Sequence, residues 1–420
     1  MLTWFKHNLK GDPILWSVVM FLSVLSILLV YSAASAPAFR KMDGNTEYYL
    51  IKHSLLVILS LFVMWVTHNI NYIYFSRISR FALLLSVPLL IYTYFGGIQE
   101  NEANRWIMIP IINQTFQTSD LAKIALIANL ASMLAKRQDN IDSFKTSLLP
   151  ILIWCGIICG LIALSDLSTA MMLFSCCIVV MFVGRVPINS LLKLFGIGVI
   201  FLGIALITGQ RRETAIKRIE LWWNMISGTT SPEELPYQVM QSFIAIAKGG
   251  WTGVGSGHSS QTYHLPVAYS DYIFAILNEE YGLIAGVAVI LLYLVILYRG
   301  IKIATKAEQT FGGLLAVGLT FGLVIQSMIN MLVVVGLVPV TGQPLPLLSM
   351  GGTSLLFTGM SLGMILSVSR GDLRNEKTNS FYENTNKFDF DLQQEEITFD
   401  DEEFSIEKDF SESGSIELSI

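Results

Sequence analysis

Charge is what this sequence has little of. Only 14% of its 420 residues are Asp, Glu, Lys or Arg, while 53% are hydrophobic and the mean hydropathy is +0.58. An ordinary soluble domain is about 25% charged. The shortfall excludes a soluble enzyme, a disordered scaffold and a nucleic-acid binder. Cysteine is scarce too: Cys155, Cys159, Cys176 and Cys177 all lie in apolar runs. No disulfide framework is indicated, and the thiols read as small buried apolar groups. The five histidines are scattered, with neither an HExxH motif nor a Cys/His cluster, which argues against a zinc site. No internal repeat is visible.

What is present is a succession of apolar runs. A helix needs roughly 20 apolar residues to cross a bilayer. Ten segments qualify, at about 14–33, 50–68, 81–97, 119–135, 146–164, 168–184, 190–208, 272–298, 310–335 and 350–369. The fourth is the weakest, because Asp120 and Lys123 fall in its first turn. The fifth and sixth are joined by a tight turn around Asp166. The fold class expected is therefore an all-α polytopic membrane protein with ten transmembrane helices. A cleaved signal peptide has an apolar core of about 7–15 residues. The run from Ile14 to Tyr31 has 18, so the first segment reads as a retained helix despite the Ala34-Ser35-Ala36 stretch behind it.

The formal charge of −5 divides unevenly. Residues 371–420 hold 15 acids against 4 bases, leaving 23 bases against 17 acids in 1–370. The chain thus reads as a short N-terminus (1–13), a basic membrane domain (14–370) and an acidic tail too polar to fold (371–420). With the N-terminus inside, fourteen Lys and Arg residues fall on the inner side, Arg77, Arg80, Lys136 and Arg299 among them. Only Arg40, Lys41, Lys52 and Arg105 lie in short outer loops or at their edges. Inner loops carry the excess of bases, so both termini are expected in the cytoplasm.

Three regions depart from short loops: an outer loop at 98–118, a large outer segment at 209–270, and a charge-free Pro/Gly-rich stretch at 338–354. Within the second, Ala215, Ile216, Ile219, Trp222 and Trp223 recur at helical spacing beside Arg212, Lys217 and Arg218, as in an amphipathic interfacial helix. The third cannot be a continuous helix. Irregular backbone at membrane depth survives only when buried in protein or lining a wet cavity, so 338–354 reads as a partly re-entrant loop walling a site.

Ionisable residues in or beside spans are expensive and functional by default. Asp271 opens the eighth span, either as a helix N-cap or as a carboxylate that takes a proton from substrate. Glu279 and Glu280 lie two turns further in. They either pair with an Arg or Lys of another span or meet substrate. Were the helix unbroken, Asn278 would share the Asp271 face. Asp120 and Lys123, three apart, meet on one helix face. They form either an internal ion pair or part of a binding site. Arg105-Trp106 is either an interfacial anchor or a phosphate cation with an aromatic platform. Gly249, Gly250, Gly253, Gly255 and Gly257 make a flexible loop, without the strand and helix a nucleotide site needs.

Together these blocks resemble the SEDS family (shape, elongation, division, sporulation) across nearly all of 10–370. The carrying motifs are Asn104-Arg105-Trp106-Ile107, Gln117 to Lys123, Asp166 with Thr169, Tyr237-Gln238 and Gly249 to Gly255. Ser270 to Phe274, Glu279-Glu280-Tyr281-Gly282 and Pro339 to Pro346 follow, with Ser349, Gly351, Gly352 and Ser354 at the end. The departures are Thr118 for Pro, Asp120 for Glu, Met350 for Tyr and Ser168 for Gly. The resemblance is nearer the FtsW division branch than the RodA elongation branch.

The resemblance implies a peptidoglycan glycosyltransferase. It would polymerise lipid II during septal wall synthesis, with Asp271 as general base and undecaprenyl pyrophosphate as leaving group. Arg105, Trp106, Lys123, Lys248, Gln238, Glu279, Glu280 and Ser349 would line the substrate site. No protein metal site is expected, although a divalent cation (Mg or Mn) could assist. The partners implied are a class B penicillin-binding protein and other division proteins. Two other readings stand beside this one: a lipid II flippase, and a non-catalytic division scaffold for a transpeptidase.

Overall fold

The computed structural model describes residues 10–34, 46–100, 103–109, 114–138, 141, 143–208, 212–229, 235–265 and 268–371. Lys6, Ser35-Ala36, Arg40, Lys41 and the acidic tail beyond residue 371 lie outside them. All ten apolar segments are helical. They form α1 (Pro13–Ala33), α2 (Thr46–Asn69), α3 (Tyr72–Gly96), α4 (Thr118–Ala135), α5 (Leu149–Ser165), α6 (Leu167–Val183) and α7 (Ile188–Thr208). Two further helices, α8 (Arg212–Ile226) and α9 (Tyr237–Gly249), precede α10 (Ile273–Lys306), α11 (Thr310–Val334) and α12 over 353–371. Seven of these, α1 to α5, α10 and α11, are long and apolar enough to cross a membrane. The shorter α6 and the 188–201 stretch of α7 are apolar as well. The chain is a polytopic helical membrane protein.

Local signals explain the boundaries. Asp12 caps α1 by accepting from Leu15 N at 2.9 Å, with Pro13 at the first helical position. Asn71 caps α3, which begins nine residues before the predicted 81. Arg77 and Arg80 lower the hydropathy of its first turns without breaking the helix. Asp166 ends α5 and caps α6, accepting from Thr169 N at 3.2 Å.

Burial explains the weak signal of α4. It packs against α3, α5, α6 and α11, and 78% of its apolar window is buried, against 28% for α2, α3 and α10. A helix surrounded by protein need not be uniformly apolar, so Asp120, Asn129 and Ser132 are accommodated. Small residues bring neighbours close: on α12, a Cβ at Gly359 or Gly363 would run into the backbone of Ser60 or Met64 on α2.

The 98–118 loop and the eighth segment carry detail beyond the apolar pattern. The loop has regular structure of its own. It forms an antiparallel meander of β1 (Ile98–Glu100), β2 (Ala103–Ile109) and β3 (Gln114–Gln117), with Trp106 opposite Gln117 and Ile107 opposite Phe116. Strands this short leave no readable alternation. The eighth segment is also broken: Gly282 adopts φ 77°, ψ 178° within α10, so the face relation of Asn278 to Asp271 on an unbroken helix does not apply.

Candidate active site

Asp271 lies not in a helix but in the turn before α10, whose N-cap is Tyr272 without a side-chain bond. The N-cap reading of Asp271 is thereby corrected. Its half-buried carboxylate accepts from Ser270 Oγ at 3.0 Å. A Cβ on Gly342 would stand 3.5 Å from its Oδ2, so the carboxylate faces the Pro/Gly-rich loop at a residue without a side chain. That loop is irregular from residue 339 to 351, as expected. Polar side chains satisfy its backbone. Asn330 Nδ2 donates to Gln343 O at 2.7 Å and to Asp271 O at 2.9 Å. Gln326 Nε2 donates to Pro344 O at 3.0 Å. Ser349 Oγ accepts from Leu345 N at 2.8 Å and donates to Ser270 O at 2.5 Å.

A second polar chain runs behind the loop. Arg105 Nη1, on β2, lies 3.1 Å from Asp166 Oδ2. Gln343 Nε2 donates to that same oxygen at 3.2 Å and to Thr169 Oγ1 at 2.7 Å. From the other side Arg218 Nη1, on α8, donates to Val340 O at 3.1 Å. Burial, and then the positive Arg105, push the Arg218 guanidinium below its ordinary pKa, while Tyr272, Asp166 and Asp271 pull it back. Two cations thus share one partly dehydrated region, a poor arrangement for them alone and a good one once an anion enters.

Two cavities meet along this wall. One, of about 350 Å³, is lined by Arg105, Asp166, Arg212, Arg218 and Thr341 at its polar end and by Met171, Met172, Ile219 and Ile329 elsewhere. The other, of about 580 Å³, is lined by Lys217, Trp222, Tyr237, Gln238 and Tyr272. Arg218 and Val338 to Val340 border both. Asp271 itself lines neither cavity, but its sequence neighbour Tyr272 lines the larger, and Thr341, the neighbour of Gly342, lines the smaller. Trp106 follows Arg105 on β2 and pairs with Gln117 on β3 and Ile98 on β1, where the register shifts and skips Arg105. It does not line either cavity.

Glu279 and Glu280 are both 1% exposed. Among the described residues neither is paired with an Arg or Lys, so the ion-pair reading of the two does not hold. Glu279 instead accepts from Ser259 Oγ at 2.5 Å, Ser260 N at 3.1 Å, Ser260 Oγ at 3.0 Å and Gln261 N at 3.2 Å. Glu280 accepts from Ser32 Oγ on α1. The glycine series, expected to be flexible, is pinned. Val254 N and Gly255 N donate to Glu279 O and Glu280 O at 2.9 and 3.0 Å, and Leu283 N donates to Gly250 O at 2.9 Å. The loop supplies the backbone partners that the break at Gly282 leaves open. Lys248 is exposed and donates to Ser260 Oγ at 2.7 Å.

Lys123 Nζ lies 2.7 Å from Asp120 Oδ1, the internal ion pair among the two readings. The pair lines a separate cavity of about 70 Å³ with Pro346 and Ser354. The cysteines are free and buried. Among the described residues no three His, Cys, Asp or Glu side chains converge as a metal site would require. Sequence reasoning passed over Asn330 and gave Arg218 and Gln343 no role in the site. Arg218 reads as one more base on an amphipathic helix, and the amides carry no charge to draw notice.

The fold and this constellation define a polytopic membrane protein in which Arg105, Asp166, Arg218 and Asp271 surround one irregular, side-chain-braced loop. Residues 12–373 match the cell cycle protein family of FtsW, RodA and SpoVE, and the chain belongs to that family, the SEDS proteins. It is 35% identical over 372 residues to stage V sporulation protein E of Bacillus subtilis (strain 168), covering 86% of this chain and 97% of that one. It is 32% identical over 365 residues to a probable peptidoglycan glycosyltransferase FtsW of Geobacter sp. (strain M18), covering 85% and 96%. In fold it is similar to a chain of a peptidoglycan synthase complex, with TM-score 0.68, 23% identity and coverage of 86% and 98%. The rod shape determining protein RodA of Thermus thermophilus gives TM-score 0.62, 22% identity and coverage of 86% and 97%.

Proposed function

We propose that this chain is a peptidoglycan glycosyltransferase that polymerises lipid II at the outer face of the cytoplasmic membrane. The observation that carries the reading is the placement of Asp271. It is a half-buried carboxylate facing Gly342, next to Tyr272 of the larger cavity, with Arg218, which borders both cavities, in electrostatic reach, in a chain whose relatives bear that activity in their names.

The chemistry asks for little more. The 4-hydroxyl of the acceptor GlcNAc attacks the anomeric carbon of the donor. A new C–O bond forms, the bond to pyrophosphate breaks, and configuration inverts. Asp271 takes the hydroxyl proton, worth about 10²–10⁴-fold. Glycosidases need a second carboxyl group to protonate their leaving group, whereas undecaprenyl pyrophosphate departs as a weak base. Arg105 and Arg218 would meet its charge, and the apolar end of the smaller cavity suits its isoprenoid. Gln238 would contact sugar in the larger cavity. Ser349 would hold the Asp271 turn, and Glu279 and Glu280 the loop beside it. Trp106, Lys123 and Lys248 would support the rim, Lys123 through Asp120. A divalent cation such as Mg or Mn would have to arrive with the pyrophosphate.

The same reading gives ten spans, α1 to α7 and α10 to α12, with both termini cytoplasmic. It places the protein at the division septum with a class B penicillin-binding protein and other division proteins. The test is to purify the chain with its transpeptidase partner, supply lipid II and resolve glycan strands on gels, with Asp271→Asn in parallel. Strands from the wild type and none from the variant are expected. Equal strands from both would remove Asp271 from its role. Lipid II crossing vesicles without strands would point to the flippase. Intact division with the variant would point to the scaffold.

A further inference from the structure

Four carbonyls of the 343–348 loop each accept from one side chain, and the donors come from three helices. Asn330 and Gln326 on α11 hold Gln343 O and Pro344 O, and Tyr293 on α10 holds Pro346 O. The remaining one, Leu348 O, accepts from Ser26 Oγ on α1 at 2.9 Å. Between the last two anchors sits Leu347 with φ 67°, a conformation that branched side chains rarely adopt. Such backbone persists only where its surroundings over-determine it. Leu345, Leu347 and Leu348 are all buried.

Behind Ser26 stands His53 of α2, itself 1% exposed, with Nε2 2.8 Å from Ser26 Oγ. A hydroxyl has one hydrogen. Ser26 gives it to Leu348 O, which can only accept, so the hydrogen in the second contact comes from the ring. His53 therefore carries its proton on Nε2, and its Nδ1 is buried without a partner. A histidine so placed has one visible task, to fix the rotamer of Ser26. On the far side of the turn the line continues. Ser349 Oγ donates to Ser270 O, Met350 N donates to Tyr269 O at 2.9 Å, and Ser270 Oγ donates to Asp271 Oδ1.

We propose that Ser26 and His53 are positioning residues for the transfer step, holding the left-handed turn at Leu347 so that Ser349 and Ser270 keep the Asp271 carboxylate in place. The inference rests on Asp271 acting as the base, and it adds a second layer of support from two helices that line neither of the two cavities bordered by Arg218.

The test uses the full chain with its transpeptidase partner and lipid II, measuring kcat, KM and melting temperature. Ser26→Ala should lower kcat about tenfold, as loss of one positioning hydrogen bond would, with KM within about twofold and folding retained. His53→Leu should do the same. His53→Gln, which can present an N–H to Ser26, should restore most of the kcat. The double variant Ser26→Ala/His53→Leu should be no worse than Ser26→Ala alone, as members of one unit are non-additive. Leu347→Gly relaxes the turn without removing a polar partner, so it reads the same geometry should a serine or histidine variant fold poorly. It too should lower kcat, measured below the reduced melting temperature that loss of a buried leucine side chain brings. Wild-type kcat in Ser26→Ala or Leu347→Gly, or a His53→Gln variant as poor as His53→Leu, overturns the proposal. Asp271→Asn run alongside separates the two layers. If it is inactive while Ser26→Ala is fully active, only the positioning role fails. If it still polymerises, the base assignment fails first.

Discussion

Asn330 binds two main chains at once: its Nδ2 lies 2.9 Å from Asp271 O and 2.7 Å from Gln343 O. One amide on α11 thereby ties the turn that carries the carboxylate to the loop that faces it. Asn330 is 2% exposed, so Asn330→Leu would strand two carbonyls away from water, at about 1–3 kcal/mol each. We expect glycan polymerisation to fall about 10- to 100-fold and the melting temperature to drop with it. A variant that loses stability yet polymerises at the wild-type rate would show that the tie serves folding alone.

Arg218 carries its charge at the site with no carboxylate in hydrogen-bond contact among the described residues. Its guanidinium holds Val340 O and borders both cavities. If it meets the pyrophosphate, Arg218→Ala should cost about 10²-fold in turnover, with little change in melting temperature because only one internal bond is lost. Arg218→Lys should recover part of the rate, since a lysine keeps the charge but not the planar fork. Steady-state kinetics of both variants decide it. An alanine variant with normal kcat would leave Arg105 as the cation there.

For Asp120 and Lys123 the expectation concerns stability. Their side chains are 4% and 17% exposed, and Asp120 Oδ2 has no other partner. Removing one member of a buried pair typically costs about 3–5 kcal/mol, whereas replacing both by apolar residues is often neutral. Lys123→Ala should therefore reduce folded protein, and Asp120→Leu/Lys123→Met should restore it. Thermal melting in detergent checks this. A stable Lys123→Ala variant that is inactive would instead assign the lysine to substrate.

The contrast between these residues shows what a linear reading can reach. Helices against lipid are legible because the solvent dictates their composition, and α1 and α10 stand out for that reason. The signal fades for α4, where protein replaces lipid, and for the start of α3, where Arg77 and Arg80 dilute the hydropathy. Asp271 draws notice in the sequence because so few charges compete with it. The partners of Glu279 do not, because they are serines some twenty residues earlier, brought close by a helix break that a lone glycine announces only weakly. Arg218 was hidden among the other bases of α8, since nothing local distinguishes a base that faces a cavity from one that faces solvent.

That break gives the sharpest test of the architecture. Gly282 takes φ 77°, and a Cβ there would meet the carbonyl of Trp251. The loop at 250–255 is bonded to the backbone on both sides of it, and Ser259, Ser260 and Gln261 further along hold Glu279. Gly282→Ala would combine a left-handed backbone, costing on the order of 1–3 kcal/mol, with a collision that pushes the loop away. The expected result is faster proteolysis within 250–262, a lower melting temperature and weaker polymerisation. Gly156→Ala, on α5 where a Cβ meets nothing within 4 Å, is the matched control and should be neutral or slightly stabilising. Equal behaviour of the two variants would mean that the loop does not depend on the break.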